Sequence, residues 1–248
     1  MKDNFSTGAD KYAKYRPTYP NLFFHFLKGM HAGSQNAWDC ATGTGQVAAS
    51  LSAQFDHVFA TDISQSQISQ APRLSNIVYS VQPAESTNFP DNFFDLITVA
   101  QAVHWFDFEK FFAEVKRTGR DNGLLVILGY TKIQVEEAID QVIAEFYTQV
   151  VGPFWDGERK YVDENYLTIP FPFEEIKMPA FANQFLWDFD QLIGYLGTWS
   201  AVSHYKKAKG TNPIDLIEGK LKKLWGPHEQ LAVHFPLLLR VGRIKRGG

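Results

Sequence analysis

The sequence predicts an α/β fold, in which a mainly parallel sheet carries helices on both faces. Strand and helix patterns alternate through residues 36–130, which is typical of such a sheet. A turn of small residues, "DCATGTG", joins the first predicted strand to the first helix after it. The chain has 248 residues, of which 45% are hydrophobic, so its length allows a core that needs no disulfide.

The elements follow in order along the chain. Apolar and β-branched runs predict strands at 36–41, 57–64, 76–82, within 93–106 and at 124–130, with helices at 44–55, 64–71 and 107–119. Asp107 and Gly119 are typical cap residues for the last of these helices. Beyond residue 130 the patterns predict helices at 135–152, 190–207 and 213–226, strands at 181–189 and 231–245, and a Pro- and Phe-rich loop through "IPFPFEEIKMP".

Composition narrows the class of protein. The net charge of −3 gives no basic face for nucleic acid, so no nucleic-acid partner is expected. The single cysteine, Cys40, allows no internal disulfide and favours a reducing compartment. The N-terminus lacks a secretory signal pattern, and the longest apolar runs are far shorter than the ~20 residues that span a bilayer. We expect a cytoplasmic protein without a membrane partner, and no cluster of side chains has the spacing of a metal site.

The glycine turn allows two kinds of nucleotide cofactor. A phosphate-binding P-loop is excluded because no lysine follows Gly45. The dinucleotide fingerprint GxGxx[G/A] is met by Gly43, Gly45 and Ala48, which would suit a nicotinamide cofactor. S-adenosylmethionine sites instead have an acid at the strand end and then small residues at alternating positions. Asp39, Ala41, Gly43 and Gly45 match that second pattern.

Asp39 favours the second interpretation. Its carboxylate would repel a pyrophosphate at the helix N-terminus but would suit the ammonium group of a methionine moiety. Asp62 ends the second predicted strand and could accept hydrogen bonds from ribose hydroxyls of either cofactor. The alternative without a cofactor is that both acids simply terminate strands.

The motifs "WDCATGTGQVA", "ATDIS", "PAESTNFPDNFFDLITVAQAVHWFD" and "LLVILGY", in this order, resemble the class I S-adenosylmethionine-dependent methyltransferases. More narrowly, "FSTGADKYAKYRPTYP" and "YLGTWSAVSHY" are similar to segments of the type-11 small-molecule group that includes trans-aconitate methyltransferase-like proteins. The resemblance implies one Rossmann-like domain over 1–248. It divides into an N-terminal arm and helix (1–35), a cofactor-binding core (36–130), and cap helices with the last two strands (131–248). The implied sheet has seven strands in the order 3-2-1-4-5-7-6, one of them antiparallel, with helical insertions at its carboxyl edge.

The resemblance also implies cofactor contacts. They comprise the methionine-binding residues Asp39, Ala41, Gly43 and Gly45, the ribose- and adenine-contacting residues Asp62 and Ile63, the adenine-edge residues Ala84 and Glu85, and Gln101 at the methyl end. Two positions depart from the family. Ala41 stands where glycine is usual, which predicts a negative φ there, and Pro83 stands where many members carry Asp.

Residues after the fourth predicted strand are candidates for the acceptor site. His104 could act as a catalytic base or orient the acceptor, although a histidine that only shapes the loop is the more common case. Trp105 and Trp199 could line the acceptor pocket, although an aromatic residue in either setting is more often a packing residue.

The N-terminal arm contributes three further candidates. Tyr12 and Tyr19 could pack on the cofactor or the acceptor, since aromatic faces attract a sulfonium. Arg16 could pair with a carboxylate of either ligand. A surface arm with prolines in it would fit the same sequence.

These residues predict a methyltransferase that uses S-adenosylmethionine and releases S-adenosylhomocysteine. Its acceptor would be a small molecule that carries a carboxylate or a hydroxyl, and the protein would be a monomer or a homodimer. Two alternatives stay open from the residues alone: an NAD(P)-dependent oxidoreductase that uses the same turn, and a protein that binds the cofactor without turnover.

Overall fold

A computed structural model describes residues 15–31 and 33–245 of the chain. Its first half contains five parallel strands in the order β3-β2-β1-β4-β5. The strands are β1 (Asn36–Cys40), β2 (His57–Asp62), β3 (Ile77–Val81), β4 (Phe94–Ala100) and β5 (Gly119–Tyr130). The predicted α/β class and the order of these strands are confirmed.

Three strands complete the sheet beyond β5, and among the described strands β8 alone runs antiparallel to β1–β5, which confirms the prediction of one antiparallel strand. The long strand β8 (Leu231–Arg243) pairs with β5 along one edge. On its other edge, β7 (Ala182–Trp187) pairs with its first half and β6 (Glu174–Ile176) with its last residues. The sheet therefore has eight strands instead of the seven predicted. The additional strand β6 lies in the Pro- and Phe-rich stretch expected to be a loop, where pairing with β8 overrides the local pattern.

Helices connect these strands and cover both faces of the sheet. They are α1 (Asn21–Lys28), α2 (Gln46–Leu51), α3 (Gln65–Ser69), α4 (Phe108–Thr118), α5 (Glu137–Glu145), α6 (Arg159–Asp163), α7 (Phe189–Gly197), α8 (Ser200–Lys209) and α9 (Glu218–Trp225). Asp107 caps α4 as predicted, since its carboxylate accepts from the Lys110 amide at 3.2 Å. None of the described helices is both long enough and apolar enough to cross a bilayer.

Two helix predictions differ from the structure. The helix predicted at 190–207 is two helices, because the backbone of Trp199 is extended (φ −69°, ψ 133°) and its side chain is buried in the core. The helix predicted at 135–152 is α5 followed by a π-helical segment, Phe146–Val150. Segments of this kind occur frequently at functional sites.

Alternate residues of the central strands enter separate cores on the two faces of the sheet. In β4, Leu96 packs with Leu27 and Leu51, and Ile97 packs with Phe111 on the opposite face. A third cluster lies between α5, α7, α8 and α9 and includes Val233 and Phe235 of β8. The strand β8 therefore belongs both to the sheet and to this third cluster. The single domain over 1–248 stays a prediction.

Candidate active site

Asp39 is buried at the end of β1, where its carboxylate joins three structural elements. Oδ2 accepts from the Thr42 hydroxyl at 2.5 Å and from the Ala48 amide of α2 at 3.0 Å. Oδ1 accepts from the Thr98 hydroxyl of β4 at 2.8 Å. The same carboxylate therefore fixes the turn, the first turn of α2 and the neighbouring strand.

The burial of Asp39 has an electrostatic consequence. Desolvation raises the pKa of its carboxyl from 3.8 to about 6, although the three hydrogen bonds oppose that shift. The negative potential of Asp62 adds to the rise. A cation placed beside Asp39 would stabilise the charged form, so the site is suited to an ammonium group.

The glycine turn has a left-handed backbone at three positions. Gly43 and Gly45 have φ of 57° and 77°, which glycine adopts at little cost. A Cβ on Gly45 would lie 2.6 Å from the hydroxyl oxygen of Tyr79. Ala41 has φ of 54°, so the prediction of a negative φ is wrong. The turn holds Ala41 in a conformation that costs a non-glycine residue about 1–2 kcal/mol.

Asp62, at the end of β2, also binds backbone amides of this region. Its Oδ2 accepts from Gly43 at 2.9 Å and its Oδ1 from Ser64 at 2.8 Å. Both acids therefore contact turns at the carboxyl edge of the parallel sheet, where ligands bind in open α/β folds.

The predicted adenine-side residues occupy the same edge of the sheet. Ile63 follows Asp62 and is half-buried, and Ala84 is buried beside the core. Glu85 accepts from the Asp107 amide at 3.2 Å, which ties it to the start of α4. Neither Pro83 nor its neighbours supply an aspartate in place of the family residue.

A cavity of about 510 Å³ opens above the turn. The predicted residues Arg16, Tyr19, Asp39, Ala41, Gly43 and Gln101 line it, as do Pro17, Thr42, Thr44, Gln46, Val47, Ala100 and Tyr130, which the sequence did not indicate. Five predicted cofactor residues do not line this cavity: Gly45, Asp62, Ile63, Ala84 and Glu85.

The N-terminal segment forms one wall of this cavity. Arg16 donates to the Tyr130 hydroxyl at 3.0 Å and to the Thr198 carbonyl at 3.4 Å. The Tyr19 ring lies 6.2 Å from the Tyr130 ring, measured between centroids. Tyr12 lies outside the described residues, so its predicted contact stays a prediction.

A second cavity, of about 450 Å³, adjoins the first. Arg16 and Gln101 line both cavities, and His104, Trp105, Trp155, Asp156, Arg159 and Ser200 complete the second. Gln101 follows β4 with φ of 53°, another left-handed non-glycine residue. Backbone strain of this kind is concentrated at ligand sites.

His104 is buried in a short turn after β4. Its ring is nearly parallel to the Tyr166 ring, with centroids 6.0 Å apart, and its Nδ1 is 3.5 Å from the Tyr166 hydroxyl. Burial and the nearby Arg159 charge lower the pKa of His104 to about 3. The imidazole is therefore neutral at physiological pH.

The two predicted tryptophans have different positions. Trp105 lines the second cavity, as expected. Trp199 is buried in the third core cluster and does not line either cavity; its neighbour Trp155, whose ring centroid is 5.6 Å away, lines the second one instead. Trp199 is therefore a packing residue, which is the alternative that the sequence left open. Trp155, Asp156 and Arg159 fall in a loop-rich stretch, "GPFWDGER", whose mixed aromatic and charged residues were the available signal.

No group of three His, Cys, Asp or Glu side chains within 15–31 and 33–245 is arranged to hold a metal ion.

Comparison with known proteins identifies the family of this chain. A family profile described as a methyltransferase domain matches residues 38–127, which include the turn and both acids. A Dictyostelium discoideum protein named as a methyltransferase is 31% identical over 96% of this chain and 93% of its own length. A solved structure from Anaeromyxobacter dehalogenans, named as a type II methyltransferase, is 36% identical, covers 94% of this chain and 100% of its own, and has a TM-score of 0.87.

A more distant structure shows the fold alone. It is a Haemonchus contortus phosphoethanolamine N-methyltransferase in complex with S-adenosylhomocysteine, with 16% identity and a TM-score of 0.50 over 98% of this chain and 58% of its own. These matches do not test the narrower trans-aconitate methyltransferase-like assignment, which stays a prediction. The chain belongs to the class I S-adenosylmethionine-dependent methyltransferases.

Proposed function

We propose that this methyltransferase binds S-adenosylmethionine in the first cavity and a small-molecule acceptor in the second. The observation that carries the proposal is that the two cavities meet at Gln101 and Arg16. When bound, the cofactor supplies a methyl group activated by a sulfonium. The chain itself then has to align the acceptor with that methyl group and exclude water.

The cofactor roles follow from the positions of the polar side chains. The Asp39 carboxylate would bind the ammonium group, because a cation there offsets the desolvation of a buried acid. Asp62, fixed by two backbone amides, would accept from the ribose hydroxyls. Gly43 keeps the turn free of side chains where the ligand approaches. Ile63, Ala84 and Glu85 would contact the adenine.

His104 would orient the acceptor and would not remove a proton from it. A general base works best when its pKa is near the working pH, and the pKa of His104 is lowered to about 3. An acceptor atom that needs no deprotonation, such as a carboxylate oxygen, suits this site. A hydroxyl acceptor would need a base that His104 does not supply.

The hydrogen bonds of the turn argue against the dinucleotide alternative. A pyrophosphate at this position would bind the amides that follow β1. The Gly43 amide already donates to Asp62, the Gly45 amide to the Thr42 carbonyl, and the Ala48 amide to Asp39. A dinucleotide would compete with two carboxylates for these donors.

Thermal unfolding tests the cofactor. The purified chain is heated with S-adenosylhomocysteine, S-adenosylmethionine, NAD or NADP in parallel. A ligand at ~100 times its Kd adds about 2.7 kcal/mol, which raises the Tm of a chain of this size by roughly 5–10 °C. We expect this rise with the two adenosyl compounds alone, and its loss in Asp39→Ala. A rise only with a dinucleotide would refute the proposal.

Turnover tests the remaining alternative, a protein that binds without catalysis. Incubation with methyl-labelled S-adenosylmethionine and a panel of small acids and alcohols should label at least one carboxylic acid. Tight binding of S-adenosylhomocysteine with no labelled product from any acceptor would favour the binding protein.

A further inference from the structure

The loop before α6 places two opposite charges at the second cavity. Asp156 and Arg159 are joined by a tight turn, in which the Arg159 amide donates to the Asp156 carbonyl at 3.0 Å. Both side chains line the cavity, together with Trp155. They do not form an ion pair with each other, since the ion-pair contact of the Arg159 guanidinium is with Asp163 at 3.7 Å.

The guanidinium of Arg159 is held rigidly from one side. Its Nε donates to the Tyr147 hydroxyl at 2.8 Å, and that hydroxyl donates to the Asp163 carboxylate at 2.6 Å. The guanidinium carbon also lies 4.6 Å from the centre of the Trp155 ring and 5.4 Å from that of Tyr147.

The other side of the guanidinium offers free donors. Among the described residues, neither terminal nitrogen of Arg159 has a hydrogen-bond partner. A fixed guanidinium with both terminal nitrogens available suits a planar oxyanion bound through two parallel hydrogen bonds.

Asp156, in contrast, has a carboxylate oxygen that lacks a hydrogen-bond donor among the residues that the structure describes. Its Oδ2 is buried and has no hydrogen-bond partner in the described part of the chain. The Nδ1 atom of His204 is 3.9 Å from this oxygen, too far for a hydrogen bond, and lies instead within hydrogen-bond distance of the Phe154 carbonyl at 2.9 Å. A buried acceptor without a partner is costly, so a donor from a ligand would be bound strongly.

The charged side chains that line the cavity are Arg16, Asp156 and Arg159. An oxyanion of a ligand would therefore meet a guanidinium there, and a hydrogen-bond donor of the same ligand would meet a carboxylate.

We propose that the methyl acceptor carries an oxyanion bound by Arg159 and, separately, a hydrogen-bond donor bound by Asp156. The acceptor class is thus a small amino acid or hydroxy acid, or its phosphate counterpart with an ammonium or hydroxyl group. This inference rests on the proposed function, because it specifies the ligand of the second cavity.

Ligand competition on the protein saturated with S-adenosylhomocysteine tests the inference. The probes are β-alanine, 3-hydroxybutyrate and phosphoethanolamine, which carry both groups, with butyrate and ethanolamine as the matched compounds that lack one. We expect each probe with both groups to bind more tightly than the matched compounds, on the order of tenfold to a hundredfold. Whether β-alanine and 3-hydroxybutyrate or phosphoethanolamine bind more tightly shows whether the oxyanion is a carboxylate or a phosphate.

Variants assign the two contacts. Arg159→Leu should remove the preference for phosphoethanolamine over ethanolamine, and Asp156→Asn, which replaces a charged acceptor by a neutral amide, should weaken the preference for 3-hydroxybutyrate over butyrate, each without loss of S-adenosylhomocysteine binding. Arg159→Lys keeps the charge and should retain part of the anion preference. Lys222→Met and Asp190→Asn, at exposed positions, are the matched charge controls and should change nothing.

Two results would overturn the inference: equal binding of all probes, or ligand preferences that neither variant changes. Either result would leave the proposed function intact as long as S-adenosylhomocysteine still raises the Tm. Loss of that rise in the unmodified chain would instead count against the proposed function itself.

Discussion

Replacing Asp39 by asparagine should change how stability depends on pH. An acid whose pKa is higher in the folded chain binds more protons when folded, so the free energy of unfolding falls as pH rises. For Asp39 this fall extends from pH 3.8 to about 6 and is complete above it. A rise of about 2 pKa units corresponds to about 3 kcal/mol over the full window. Asparagine does not titrate and lacks this contribution.

Urea denaturation of both proteins at two pH values measures the effect. Between about pH 5 and about pH 7.5, the wild type should lose about 1.4 kcal/mol of unfolding free energy relative to Asp39→Asn. Titration of the other groups cancels in the difference, provided that they are unchanged. The reasoning fails if the stability difference between the two proteins is the same at both pH values. It also fails if the difference changes in the opposite direction.

Three further substitutions test the local geometry. Ala41→Gly removes the backbone strain of an alanine with positive φ and should add up to about 1 kcal/mol of stability, which raises the Tm by a few degrees in calorimetry. A lower Tm would contradict this. Gly45→Ala adds the left-handed penalty of about 1–2 kcal/mol and a clash with Tyr79, so both the Tm and the S-adenosylhomocysteine affinity should fall. Arg240→Met leaves the buried Ile169 carbonyl without its side-chain donor and removes one of the two donors to the Tyr166 carbonyl, so it should cost about 1–3 kcal/mol in urea denaturation, whereas Glu175→Gln, at the half-exposed partner, should cost under about 1 kcal/mol. Equal costs for these last two would show that the ion pair, and not the carbonyl contacts, stabilises the loop.

The sequence predicted the parallel part of the fold because its signals are local. Each of β1 to β5 is an apolar run bounded by turn residues, and Asp107 marks the start of α4 by itself. The strand β6 could not be predicted, because three residues between prolines pair only when β8 is already in place. The break between α7 and α8 was missed for a related reason: Trp199 leaves the helical conformation in order to pack in the core.

The candidate site also has one part that the sequence predicts and one part that it does not. The cofactor side depends on residues near one another in the chain, and the spacing of Asp39, Gly43 and Asp62 indicated the turn. The second cavity combines residues as far apart in the chain as Arg16, Gln101 and Ser200. The loop that contains Asp156 and Arg159 has no recognisable motif, and only the folded structure brings it to the same cavity as Gln101. The positive φ of Ala41 was also not predictable, because the turn imposes a conformation that alanine does not favour.

The strand β8 has a consequence for any attempt to shorten this protein. The segment 36–130 contains the family motifs and would be the natural choice for a minimal cofactor-binding fragment. Without β8, however, the twelve residues of β5 become an exposed edge strand with Leu124, Val126 and Leu128 in its centre. Long apolar edges of this kind pair with other chains. We therefore expect a fragment that ends after Tyr130 to aggregate, and only fragments that retain β8 to stay monodisperse.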